Sequence, residues 1–193
     1  MFNNLSKYNI ILASNSPRRR ELLGQLGIEY TVKSLEGVDE SFPKSLPKGE
    51  VAGYIADKKA QACLKTISEN DLIITADTIV CVEDEILGKP KDETDARRML
   101  RKLSGRDHEV VTGVVVATKN RQVAFSVTTL VRFANLSDEI IEHYVENFKP
   151  FDKAGAYGIQ EWIGFVGVES ISGSFFNVIG LPVQRLFQVL STF

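Results

Sequence analysis

Arg18, Arg19 and Arg20 follow an apolar run and the turn-forming stretch Ser14-Asn15-Ser16-Pro17, at the point where a helix should begin. A helix N-terminus already carries roughly half a positive charge, so cations in its first turn are disfavoured by a few tenths to about 1 kcal/mol. Their placement makes sense if an anion binds there. With Ser16 as N-cap and Pro17 at the first helical position, Arg18 and Arg19 fall beside the backbone N–H groups that a helix offers to phosphate, and Ser14 adds a hydroxyl from the preceding turn. Successive helical residues fan out by about 100°, so three adjacent arginines cannot converge on one ligand, and Arg20 is read as the spectator. A solvated basic helix start would account for the arginines alone. Their position after an apolar strand, where open α/β sheets place ligands, favours an anion site.

Asp77 in IITADTIV is the second signal. Aspartate is depleted in strands, and a carboxylate held among apolar neighbours needs a partner, which is the environment of a general base or a ligand to a hard metal. A strand-end aspartate capping a turn is the plainer reading, but β-branched residues continue past Asp77. Lys59 in DKKAQA and Lys89 in ILGKP, taken singly, read as surface charges. The chain has no phosphate-binding G-x-x-x-x-G-K-[ST] loop and no G-x-S-x-G elbow, and its histidines, His108 and His143, form no zinc-like cluster. Cationic groups for an anion plus carboxylates remain, the equipment for Mg²⁺-assisted attack on a phosphoryl group.

These residues need elements to hold them. The run 9–13 reads as a strand, and Leu22, Leu23 and Leu26 give a helix stopped by Gly27. Residues 48–67 form a helix with its apolar repeat at Val51, Ile55, Ala62 and Leu64 to Ile67 and the lysines on another face. Residues 71–82 read as a strand and EDE as a turn. A helix follows with Ala96, Met99, Leu100 and Leu103 on one face, Thr94 as N-cap and Gly105 as stop. HEVVTGVVVAT and QVAFSVTTLVRFA, separated by KNR, form a hairpin. LSDEIIEHYVEN is a helix capped by Ser137, with Leu136 stapled against Ile141. In SFFNVIGLPVQRLFQVL a strand ends, Gly-Leu-Pro intervenes, and a helix starts with Pro182 in its first turn.

A chain of 193 residues with 44% hydrophobic content can bury one substantial core, and this pattern of elements gives a mixed α/β domain. The formal charge of −2 offers no basic field toward nucleic acid polymers or a membrane surface, so any anion site is local. Cys63 and Cys81 cannot build a disulfide framework and read as apolar fillers. With no signal peptide and no apolar run long enough to span a bilayer, the expected location is cytoplasmic.

ASNSPRRREL, ADTIVCVEDEILGKP, MLRKLSGRDHEVVTG, DKAGAYGIQ and GSFFNVIGLP stand in the order and approximate spacing of the Maf family of nucleoside triphosphate pyrophosphatases, and the resemblance spans nearly the whole chain. It implies a single domain over 1–193: a bent mixed β-sheet flanked by helices, with two lobes around a central cleft, as in inosine triphosphatases. It further implies a homodimer. The implied reaction is metal-assisted attack of water on the α–β phosphoanhydride of a nucleoside triphosphate, with Mg²⁺ or Mn²⁺, releasing the monophosphate and pyrophosphate; such a reaction suits the clearing of non-standard nucleotides. By the same resemblance Asp77 is the catalytic aspartate and a metal ligand, and Ser14, Arg18 and Arg19 form the phosphate-binding loop. Lys59 and Lys89 are further phosphate ligands. Glu40 in GVDESF is a second metal-binding acid, with Asp39 offering an alternative register. The Ala-Asp-Thr strand and the Tyr-Gly-Ile-Gln turn resemble the branch acting on dTTP and UTP, which makes Thr78 and Gln160 base-reading residues. Glu161 stands where that branch usually has glycine, placing an acid beside the base pocket. Two other functions stay open: a non-catalytic nucleotide-binding regulator of cell division, needing the arginine loop but not Asp77, and a phosphohydrolase that removes only the terminal phosphate.

Overall fold

The computed structural model describes residues 3–35 and 37–193. Its strands are β1 (Asn9–Ala13), β2 (Thr31–Lys33), β3 (Asp71–Val82), β4 (Glu85–Leu87), β5 (Asp107–Ala117), β6 (Gln122–Phe133) and β7 (Val168–Ser172). They form one mixed sheet in the order β2-β1-β3-β5-β6-β7, with β4 paired to β3. β1 runs parallel to both β2 and β3, whereas β4 is antiparallel to β3 and β7 to β6. The helices are α1 (Pro17–Gln25), α2 (Lys48–Leu64), α3 (Glu93–Leu103), α4 (Asp138–Phe148), α5 (Trp162–Gly167), α6 (Phe175–Ile179) and α7 (Val183–Leu190). The mixed α/β class expected from the sequence is therefore what the chain adopts. Among the described residues no helix is long and apolar enough to cross a membrane.

The chain divides into two compact units, one comprising the described residues of Met1–Asp77 with Thr112–Val127 and Gly180–Phe193, the other Thr78–Val111 with Thr128–Ile179. In the first unit Ala13, Ala56, Ala60, Cys63, Ile73, Val115 and Ala117 form a core of mostly small side chains. Small residues allow close approach: a Cβ at Gly113 of β5 would lie 2.3 Å from the Gly53 nitrogen of α2, so helix and strand meet backbone to backbone. Residues 118–121 turn β5 into β6, closed by the Thr118 N–H on the Arg121 carbonyl.

α2 differs from its sequence reading in one respect that matters for the site. Its buried face is Val51, Ala52, Ile55, Ala56, Lys59, Ala60 and Cys63, so Lys59 lies on that face and not among the solvated lysines. Cys63 and Cys81 are buried and form no disulfide, as expected.

The second unit has a larger-residue core in which Leu87, Met99, Leu100, Leu103, Phe133, Ile141, Tyr144 and Tyr157 are buried. α4 is capped by Ser137, which accepts from the Ile140 N–H, as the sequence suggests. α3 is capped by Asp92 and not by Thr94: the Asp92 carboxylate accepts from the Asp95 N–H and suits the positive end of the helix. The other correction is α6, in a segment that reads as the end of a strand. Ser174 accepts from the Asn177 N–H and starts a turn of helix, and the buried Asn177 side chain donates to the Val110 carbonyl and to Thr129 Oγ1, both at 3.0 Å. A buried amide secured by such bonds outweighs the strand preference of its neighbours.

Candidate active site

The arginine loop folds as its sequence dictates. Ser16 caps α1 by accepting from the Arg19 N–H, and Pro17 occupies the first turn, where its missing N–H costs nothing. Ser14, only 5% exposed, accepts from the Ser16 N–H at 3.2 Å and shapes the turn between β1 and α1. Arg18 is half-buried at the second helical position.

Arg19 is also tied to the scaffold. Its Nε donates to the Gly180 carbonyl at 2.8 Å and its guanidinium donates to the Ala76 carbonyl at 2.9 Å. It thereby holds the peptide immediately before Asp77. Burial lowers the Arg19 pKa from its usual value, and the Asp77 carboxylate opposes that shift; the group remains a cation. Arg20 is half-buried, its guanidinium donating to the Ser14 carbonyl at 3.5 Å and its own carbonyl accepting the Tyr30 hydroxyl at 2.6 Å.

β3 continues through Asp77 to Val82, so this aspartate sits inside a strand and not at its end. Lys59 Nζ lies 2.7 Å from Asp77 Oδ1 and 2.8 Å from Glu40 Oε1. Two carboxylates thus converge on one ammonium, and the lysine side chain is only 10% exposed. A buried ammonium demands such partners. The contact depends on Thr75, which sequence reasoning missed: its buried hydroxyl donates to the Ala56 carbonyl at 2.8 Å, tying β3 to α2 one helical turn before Lys59.

The choice between Asp39 and Glu40 is decided by where each carboxylate goes. Asp39 turns to Lys58 at 2.9 Å and to the Ser41 hydroxyl and N–H, while Glu40 goes to Lys59. The Ser41 hydroxyl, followed by Lys58 and the Ser41 N–H, holds the Asp39 carboxyl below the usual range. Adjacent acids on the loop therefore meet adjacent lysines on α2.

Among the described residues no group of three His, Cys, Asp or Glu is arranged to hold a metal. The donor set around Lys59 nevertheless suits Mg²⁺ or Mn²⁺: two hard carboxylates face a single cation, and Mg²⁺ is commonly held by one or two carboxylates with substrate phosphates and water completing its shell.

Thr78, Lys89 and Gln160 belong to the second unit. Thr78 is half-buried in β3, and Lys89 is exposed beside Gly88, whose carbonyl accepts from the Gly155 N–H at 3.0 Å. Gln160 is half-buried, and its Oε1 is enclosed with no hydrogen-bond partner among the described residues. Leaving such an acceptor unmet costs roughly 1–3 kcal/mol, which a ligand N–H could offset. Glu161 does not present a free charge: Tyr144 donates to its Oε2, and Lys153 Nζ lies 3.0 Å from its Oε1.

The Maf-like protein family model matches residues 9–193. A dTTP/UTP pyrophosphatase of Phocaeicola vulgatus is 58% identical over 98% of both chains. A Parabacteroides distasonis protein of the same name is 52% identical over 100% of both, and one of Bacteroides fragilis is 55% identical over 98% of both. Among solved structures, a nucleoside-triphosphatase / dITP/XTP pyrophosphatase of Mycobacterium abscessus is 15% identical, covers 95% of this chain and 97% of that one, and aligns with a TM-score of 0.47. With near-complete coverage by the family model and identities above half, this chain belongs to the Maf family.

Proposed function

We propose that the protein hydrolyses dTTP and UTP to the nucleoside monophosphate and pyrophosphate, acting on free nucleotides in the cytoplasm as a homodimer. The observation that carries this reading is the convergence of Asp77 and Glu40 on Lys59 in the unit that also holds the Ser14–Arg19 loop. Carboxylates able to accept a proton and hold a hard cation share that unit with groups able to bind phosphate. The names of the relatives agree with it.

Each residue then has a task. Ser14, Arg18 and the first N–H groups of α1 bind phosphate oxygens. Arg19 adds positive charge and fixes the peptide before Asp77. Lys59 and Lys89 supply further cations to the phosphate chain. A divalent cation held by Asp77 and Glu40 would supply charge neutralisation for the triphosphate. Asp77 accepts a proton from the attacking water as the new O–P bond forms and the α–β anhydride bond breaks, with the bridging oxygen leaving on one product. Gln160 reads the base: Oε1 accepts from the N3–H of uracil or thymine, the amide nitrogen donates to O4, and Thr78 shapes the pocket.

The test is incubation of purified protein with UTP and Mg²⁺, followed by separation of products. UMP with pyrophosphate is expected. UDP with phosphate would mean removal of the terminal phosphate only, and intact UTP that nevertheless binds would favour the non-catalytic regulator. Light scattering on the eluting peak tests the dimer.

A further inference from the structure

We infer that Tyr144, Glu161 and Lys153 form a clamp that fixes the turn carrying Gln160, with Glu161 a positioning residue that sets base selectivity without touching the base; the inference rests on the proposed base-reading role of Gln160. The turn spans Gly158 to Glu161 and is closed by the Glu161 N–H on the Gly158 carbonyl at 2.9 Å. That bond alone fixes no orientation of the turn relative to its surroundings, and tertiary contacts such as the buried Ile159 limit its freedom to move.

Tyr144 removes this freedom from both ends. Its hydroxyl accepts from the Gly158 N–H at 3.0 Å and donates to Glu161 Oε2, so one fully buried side chain on α4 grips the first and last residues of the turn. Burial, reinforced by the Glu161 carboxylate, raises the Tyr144 pKa and keeps the hydroxyl protonated as a donor. The other carboxylate oxygen meets Lys153, which is 8% exposed and also lies 2.7 Å from Asp152. The carboxylate packs so closely on the bare α-carbon of Gly158 that a Cβ there would lie 2.9 Å from Glu161 Cδ.

Both polar ends of Glu161 are thus engaged inside the protein, while Gln160 Oε1 is enclosed and unmet. The acid holds the frame, and the amide faces the ligand. A buried polar group held in one orientation discriminates strongly between a base that offers N–H at position 3 and one that offers a lone pair, because the wrong base leaves it unpaired. Slack in the turn would let Gln160 swing its amide and accept either.

The experiment measures kcat/KM for UTP and CTP on wild type, Gln160→Ala, Tyr144→Phe, Glu161→Gln and Gly158→Ala, with hydrogen exchange of the peptide containing Gly158. Gln160→Ala should lower the UTP to CTP ratio by about ten- to a hundredfold. Each clamp variant should lower it by about tenfold, through a higher KM for UTP with kcat near wild type, and should speed exchange across the turn. If Gln160→Ala changes the ratio but no folded clamp variant does, the clamp is overturned while base reading stands. An unchanged ratio in Gln160→Ala overturns the base reading and the clamp's role with it. Equal losses on UTP and CTP in the clamp variants would make the cluster purely structural.

Discussion

Thr75 and Ala56 set the register of the charged site: the buried Thr75 hydroxyl donates to the Ala56 carbonyl at 2.8 Å, and three residues further along α2 Lys59 meets Asp77, two residues further along β3. Side chains two apart on a strand share a face, and those three apart on a helix are neighbours, so one hydrogen bond aligns the next pair.

Thr75→Val should therefore cost about 1 kcal/mol of stability, the usual net value of one hydrogen bond. It should also reduce turnover by loosening the Lys59–Asp77 contact. Urea unfolding gives the first quantity and steady-state kinetics with UTP the second; an unfolding midpoint lowered with kcat unchanged would confine Thr75 to stability.

Asp77→Asn should abolish hydrolysis while nucleotide still binds. The amide keeps the shape but neither accepts a proton nor offsets a cation, and loss of a general base alone typically costs about 10² to 10⁴ in rate. Titration with a non-hydrolysable UTP analogue separates binding from chemistry. By contrast, Arg18→Ala should mainly raise KM, since it removes one cation from a triphosphate still held by the helix N–H groups.

Glu40→Gln should raise the Mg²⁺ concentration for half-maximal activity by about tenfold or more, because a hard cation loses one of its two protein carboxylates. Asp39→Asn should shift it by only a few-fold, since Asp39 holds the loop through Lys58 and Ser41. Mn²⁺ binding followed by electron paramagnetic resonance reads the same order without turnover. Equal effects from both variants would contradict the division of labour between these neighbours.

His108 makes stability depend on pH. It is 2% exposed, Nε2 lies 2.7 Å from the Tyr157 hydroxyl, and burial lowers its pKa from 6.5 to about 4. The folded state therefore resists a proton that the unfolded chain takes up. Stability falls as pH drops below about 6.5 and this loss levels off below about 4, reaching roughly 3 kcal/mol at the low end. Urea unfolding between pH 7 and 4 should show that slope in wild type, and His108→Asn should flatten it. An identical slope in both would assign the acid sensitivity to other groups.

The arginine loop and the strand around Asp77 were legible in the sequence because both are local devices. Ser16, Pro17 and the following turn determine a helix start within a few residues, and β-branched neighbours commit residues 71–82 to one strand whatever lies around them. The hairpin strands, the Ser137 cap and the mixed α/β class were readable for the same reason.

Tertiary structure decided how those devices are used, since partners far apart in sequence leave no local pattern. Lys59 looked like a surface charge, yet it stands four residues from both Ile55 and Cys63 on the buried face of α2, a spacing that could have signalled its burial. Arg19 looked like a phosphate ligand, and carbonyls at Ala76 and Gly180, distant in the chain, also engage two of its five N–H donors. The side chains of Asp39 and Glu40 were equivalent by composition; only the loop's path over α2 sends one to Lys58 and the other to Lys59. Glu161 read as a charge beside the base, and the fold turned it inward onto Tyr144 and Lys153, because a half-buried carboxylate is stable only where such partners exist.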